Sequence, residues 1–291
     1  MKSARTTAAF TLVELLVVLS IMGILAMMVV PALKNFGKAE AAASAMRQMM
    51  DDVHRARQLA ISQRTTVYMI FLPANFWNDS SYVGNLAAYN NLPPAEKDKA
   101  SKLFDKQLNS YTFVTVRSAG DQPGRNVARY LSQWRSLPEG TFIAPWKFAP
   151  PTGNNEPVIA RTIADPPPPA TPDRVFHVKG FNLTTAEDRI PFPSPEGSIA
   201  FRLPYIAFDH LGSVIGAVNS GSSTRERYPR EDEYIPLARG SLGVALDANK
   251  VPLQKPPSVS EKPEGNSTNA FTLVHVEWLT GRARVERQEV R

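Results

Sequence analysis

The chain has 291 residues, no cysteine and a formal charge of +6, which falls to +4 if Lys2 and Arg5 are removed. Without cysteine there is no disulfide staple and no thiolate site, and so small a positive excess does not call for nucleic acid as a partner. Residues 65–291 are enough for one substantial hydrophobic core.

Residues 1–9 hold Lys2 and Arg5 and no acid, and residues 10–33, FTLVELLVVLSIMGILAMMVVPAL, carry a single charge, Glu14. At ~1.5 Å per residue this segment makes a helix ~36 Å long, enough to span a bilayer with some tilt. The basic leader holds the N-terminus in the cytoplasm and sends the remainder across. A carboxylate at mid-helix in hydrocarbon costs roughly 2.5–3.5 kcal/mol, so Glu14 either lies near the headgroups or has a cationic partner. Cleavage before Phe10 would create an α-amino group close to Glu14, which a neighbouring subunit can offer. A secretory signal peptide cut at Ala39-Glu40-Ala41 or Ala41-Ala42-Ala43 is the competing reading, but the apolar run is long and those alanines continue a helix.

After Pro31 the apolar residues Phe36, Ala39, Ala43, Met46, Met50, Val53 and Ala60 recur at helical spacing, with Lys38, Glu40, Arg47, Asp51, Arg55 and Arg64 on other faces. An amphipathic helix over 34–64 follows the apolar one, and the pair forms a rod of ~80 Å. Beyond it, β-branched and aromatic residues predict strands over 66–72, 111–116, 141–144, 174–178, 198–203, 205–208, 213–218, 241–246 and 271–279. Asp209-His210-Leu211-Gly212 reads as a hairpin turn, Thr280-Gly281 as another before a strand over 282–286, and Pro93-Pro94 as the start of a short polar helix. Residues 145–172 hold nine prolines and 250–265 four more, so both are expected to be extended or looped excursions, and no internal repeat is visible.

A search for chemistry finds none. His54, His177, His210 and His275 are widely separated in sequence, and there is no H-E-x-x-H, G-x-S-x-G or phosphate-cradling glycine loop. Glu231, Asp232 and Glu233 project in different directions and read as a solvated charge run, not a cation site. Trp77, Trp134, Trp146 and Trp278 read as core or loop anchors. The expectation is no enzyme, no catalytic residue, no metal and no cofactor.

Ala9-Phe10-Thr11-Leu12-Val13-Glu14-Leu15-Leu16-Val17-Val18, with Ile21-Met22-Gly23-Ile24-Leu25-Ala26 and Pro31-Ala32-Leu33, closely resembles the class III signal of type IV prepilins and type II secretion pseudopilins. The resemblance implies an α+β fold with a long N-terminal helix packed on an antiparallel sheet head. It also implies cleavage at Ala9/Phe10 by a prepilin peptidase, N-methylation of Phe10, assembly through Glu14 and a helix kink at Pro31. The usual Gly before the cut is Ala9 here, the nearest replacement in size.

The implied layout is a leader over 1–9, a transmembrane helix over 10–33, an amphipathic helix over 34–64 and a β-rich head over 65–291, with insertions at about 73–110, 145–173 and 219–270. The implied place is the bacterial inner membrane, single-pass, N-terminus cytoplasmic and head outside, and then an envelope filament. The implied partners are other pilin or pseudopilin subunits and an inner-membrane assembly platform.

Ala56-Arg57-Gln58-Leu59-Ala60-Ile61, Leu137-Pro138-Glu139-Gly140-Thr141-Phe142, residues 206–212 and residues 274–285 are similar, more weakly, to H-type minor pseudopilins, and the proline-rich insertions resemble those of the Verru_Chthon cassette proteins. Gly281-Arg282-Ala283-Arg284 resembles the tail of DNA-uptake minor pilins, where Arg282 and Arg284 would face the same way and grip phosphates. A DNA- or surface-binding minor pilin is therefore the alternative function. The plainer reading of the two arginines is charge that keeps an edge strand from pairing.

Overall fold

A computed structural model describes residues 12–78, 82, 84–116, 127–149, 159–163, 174–178, 180–184, 190–197, 199, 201–216 and 232–287; their side chains are described too, except at 28–40, 159–163, 174–177 and 287. Helix α1 spans Leu12–Gln63 as one element of 52 residues, ~78 Å long. The apolar and amphipathic helices are thus a single rod. It passes Pro31 as one helical element. From Ala42 onward, Ala45, Met49, Val53, Ala56 and Ala60 are buried, while Ser44, Arg47, Asp51, Arg55 and Gln58 face outward. That spacing of three and four is the stripe an amphipathic helix lays on a core.

The helix ends where Arg64 takes φ 51° and Thr65 N–H donates to the Ala60 carbonyl at 3.1 Å, a left-handed C-terminal cap. The chain reverses into β1 (Val67–Phe71), then α2 (Asn85–Asn90), α3 (Pro94–Ser101), β2 (Ser110–Thr115), β3 (Arg129–Tyr130), β4 (Arg135–Ser136) and β5 (Thr141–Ile143). A 3₁₀ turn (Pro145–Phe148), β6 (Ile159–Ile163), β7 (Arg174–Val178), β8 (Asn182–Leu183), β9 (Pro204–Phe208) and β10 (Val214–Ile215) follow. The last elements are β11 (Glu233–Gly243), β12 (Ser258–Glu261), α4 (Asn266–Asn269), β13 (Thr272–Val276) and β14 (Ala283–Arg287).

All strand pairs among these are antiparallel, so the class is α+β. One sheet runs β10-β9-β1-β2-β3 with β4 on β2 and β8 on β9; the other runs β12-β11-β13-β14 with β5 on β11; β6 and β7 form a separate ribbon. Alternate residues of β1 point to two cores. Val67, Met69 and Phe71 join α1, β11 and β13, while Tyr68, Ile70 and Leu72 join Phe76, Trp77, Leu103, Phe104, Phe192 and Phe201 on the opposite face. The single expected core is therefore two, with β1 buried on both sides, and each fully buried side chain of this kind contributes on the order of 1.5–3 kcal/mol.

Several sequence expectations are corrected. Ser198–Leu203 is not a strand at its described residues: Thr184 Oγ1 donates to the Phe201 carbonyl and accepts from Leu203 N–H, taking the backbone groups a ladder would use. Residues 241–243 are the end of β11, not the start of a separate strand. The two proline-rich stretches contain regular structure, the 3₁₀ turn and β6 in one and β12 in the other. The span expected as an insertion at 219–270 contains β11, to which both β13 and β5 are paired.

Candidate functional site

Residues 12–27 of α1 are apolar except for Glu14 and Ser20, and among the described residues no core side chain packs on them. Leu12, Val13, Leu15 to Leu19, Ile21, Met22, Ile24, Leu25 and Met27 are between 48% and 80% exposed. Glu14 lies in the first helical turn, where the helix dipole favours an acid. Ser20 satisfies its hydroxyl inside the helix by donating to the Leu16 carbonyl at 2.8 Å, and Gly23 has nothing within 4 Å of where a Cβ would stand. A helix that is apolar all round belongs in a protein interior or in lipid, and a continuous exposed apolar surface of this extent marks an interaction site.

Among the described residues no helix is long and apolar enough to cross a membrane. The side chains described at 12–27 cover ~24 Å of helix, short of the ~30 Å hydrocarbon core. Ala9, Phe10 and Thr11 lie outside the described residues, as does the side chain of Pro31.

Residues 5–30 match the family described as the prokaryotic N-terminal methylation motif. The chain carries a type IV pilin-like class III signal. Comparison with curated proteins and with solved structures gave no match. The motif implies processing by a prepilin peptidase and assembly with other pilins; it includes Ala9, Phe10 and Glu14 and ends just before Pro31.

The other half of α1 is joined to the head by polar contacts on successive turns. Asp52 is buried and accepts from Tyr111 Oη at 2.5 Å and Arg135 Nε at 2.9 Å, and Gln48 Nε2 donates to Tyr111 Oη and the Ser136 carbonyl. Burial and then the Asp52 carboxylate push the Tyr111 phenol above its ordinary value. His54 Nε2 accepts the Ala283 N–H at 3.1 Å, and Arg57 Nε donates to the Thr280 carbonyl at 2.6 Å. These contacts join residues far apart in sequence, which is why no local pattern announced them. The two turns read from sequence are where expected: Asp209 Oδ1 accepts from Leu211 and Ser213 N–H, and Gly281 N–H donates to the Glu277 carbonyl.

The C-terminal arginines are both exposed, and one of them is paired. Arg284 Nη2 pairs with Glu286 Oε1 at 3.0 Å, and its Nε donates to the same carboxylate oxygen at 3.2 Å. Arg282 is exposed, just before β14. The acidic run is not a solvated one at its two described members. Asp232 contacts His275 Nε2 at 2.7 Å and accepts the Trp278 N–H, and Glu233 pairs with Lys147, whose side chain is 1% exposed. Glu231 lies outside the described residues. Burial pushes the Lys147 amine down, and Glu233 opposes that; burial and then Asp232 push the stacked Tyr234 phenol up to about 12. His275 also contacts Glu286 at 2.6 Å, so its two carboxylates sit on opposite ring nitrogens. No group of three metal-ligating side chains occurs among the described residues.

The tryptophans act as anchors: Trp77 lies in the second core, Trp278 packs on the first, and Trp134 and Trp146 donate to the Pro193 and Ser267 carbonyls.

Proposed function

We propose that this protein is a pseudopilin or minor pilin, a structural subunit of a type II secretion pseudopilus or a type IV pilus-like envelope filament. The observation that carries the reading is the exposed apolar run of α1 at residues 12–27, with Glu14 in its first turn, inside the stretch that matches the methylation motif. In this reading residues 10–33 hold the precursor in the inner membrane, N-terminus cytoplasmic and head outside. A prepilin peptidase cuts at Ala9/Phe10 and methylates Phe10. Glu14 then accepts the new terminal amine of a neighbouring subunit as the helix moves from lipid into a bundle of like helices. The polar contacts at Gln48, Asp52, His54 and Arg57 keep head and helix moving as one body. The work is mechanical, with no catalytic residue and no cofactor.

The DNA-binding alternative would need Arg284, 70% exposed, to exchange its surface pair with Glu286 for phosphate. The test is Glu14→Ala expressed beside the wild-type chain. The variant should insert and be cleaved normally but be depleted from sheared filaments, measured by quantitative mass spectrometry. Equal incorporation of both forms would place Glu14 at the headgroups with no assembly role.

A further inference from the structure

We propose that the tip of the β11–β12 hairpin is a second membrane contact, resting on the headgroups of the bilayer that holds α1. The inference rests on the membrane reading given above and adds to it a surface of the head. β11 begins beside His54: Glu233 pairs with Val276, Val276 with Ala283, and Ala283 N–H donates to His54. Further along, Leu237 pairs with Ile143 of β5, and α1 meets the segment before β5 through the Gln48 bond to the Ser136 carbonyl. The strand therefore runs back along α1, from the level of His54 toward its apolar end.

From Leu237 to Gly243 is up to ~20 Å at the rise of a strand. The same distance on α1 spans ~13 residues, which from Gln48 leads to the border of the apolar segment near residue 33. The hairpin tip beyond Gly243 is then at the height of the lipid headgroups.

The chemistry of the tip suits that place. Asp247 Oδ1 accepts the N–H groups of Asn249 and Val251, both at 2.8 Å, and Leu246 bridges to Pro252. This built turn brings Leu246 and Val251 together, 51% and 53% exposed, with Lys250 and Lys255 exposed beside them. Apolar side chains entering the acyl boundary with lysines at the phosphates are what an interfacial anchor requires. Another set of exposed apolar residues, Ile61, Leu211 and Leu279, sits at the C-terminal end of α1, ~40 Å from that border along the helix, and serves as the control.

Because the chain has no cysteine, Val251→Cys, Leu211→Cys and Val18→Cys can each carry one environment-sensitive nitrobenzoxadiazole label. Each full-length labelled protein is reconstituted in vesicles of phosphatidylethanolamine and phosphatidylglycerol, with and without a lipid bearing a shallow nitroxide quencher. The expected result is blue-shifted, quenched emission at 18 and 251 and neither change at 211. Quenching at 18 without quenching at 251 overturns this inference and leaves the membrane reading standing. Equal quenching at 211 and 251 also overturns it, because contact would not be confined to the tip. No quenching at 18 overturns both.

Discussion

Gly281 stands at φ 60°, and a Cβ on it would lie 2.1 Å from the Gly212 carbonyl oxygen. Both the left-handed backbone and the close approach require glycine, so Gly281→Ala should lower stability by about 2 kcal/mol. Urea unfolding checks this, and an unchanged midpoint would contradict the packing of the two hairpins on α1. Lys147 makes a different demand, since its amine is buried against Glu233 and Phe181. Glu233→Gln leaves that amine without its acid and should cost about 3 kcal/mol.

The pH dependence has a sign. The folded Lys147 amine titrates below its ordinary value of 10.5, so between its lowered folded value and 10.5 the unfolded chain binds more protons. Its contribution to stability therefore rises with pH in that window. Lys147→Met should remove the rise, visible as a flatter plot of unfolding free energy against pH; a slope equal to wild type would mean that Lys147 titrates normally. Asp209 and Gly281 were legible because turn chemistry is local. The roles of Asp232 and Glu233 were not, because Lys147 is 86 positions from Glu233 and His275 is 43 from Asp232.

Among the elements, the extent of α1 was legible, since a sustained helical period needs no knowledge of the rest of the fold, but its core stripe was read a step off: Ala45, Met49 and Ala56 are buried, while Ala43, Met46 and Met50 are only partly so. β11 was not. It starts in an acidic run and carries Pro236, both of which argue against a strand by composition. It forms because Glu233 has Lys147 as partner, and because Leu237, Ala238 and Arg239 pair with β5 while Pro236 only lends its carbonyl to Ala144. Strand β14 was placed correctly, and its edge is partly occupied because His54 takes the Ala283 N–H.

With Arg284 paired, the edge-protection reading predicts negligible binding of duplex DNA near physiological salt. Arg282→Ala with Arg284→Ala should then change the salt dependence of any residual binding by less than about one ion equivalent. A loss of about two equivalents, measured by fluorescence anisotropy across a salt series, would restore the DNA-uptake alternative.

At the scale of the whole molecule, the fold divides the labour between the two halves of one helix. One half is spent on a head with two cores, and residues 12–27 of the other keep their apolar side chains exposed among the described residues, which is what the proposed filament role uses. The general class of fold and the N-terminal signal could be read from sequence because both rest on periodicity and a short contiguous motif. The second core could not, since the residues that cover the outer face of β1 come from 76–104 and 190–203, segments with little periodicity of their own.

The measurement that bears most directly on this account is the mass and sequence of the N-terminal peptide of the protein isolated from its native envelope. A pilin-type subunit should begin at Phe10, carry one methyl group on its α-amine and lack residues 1–9. An intact Met1, or a start near Ala42, would contradict the account.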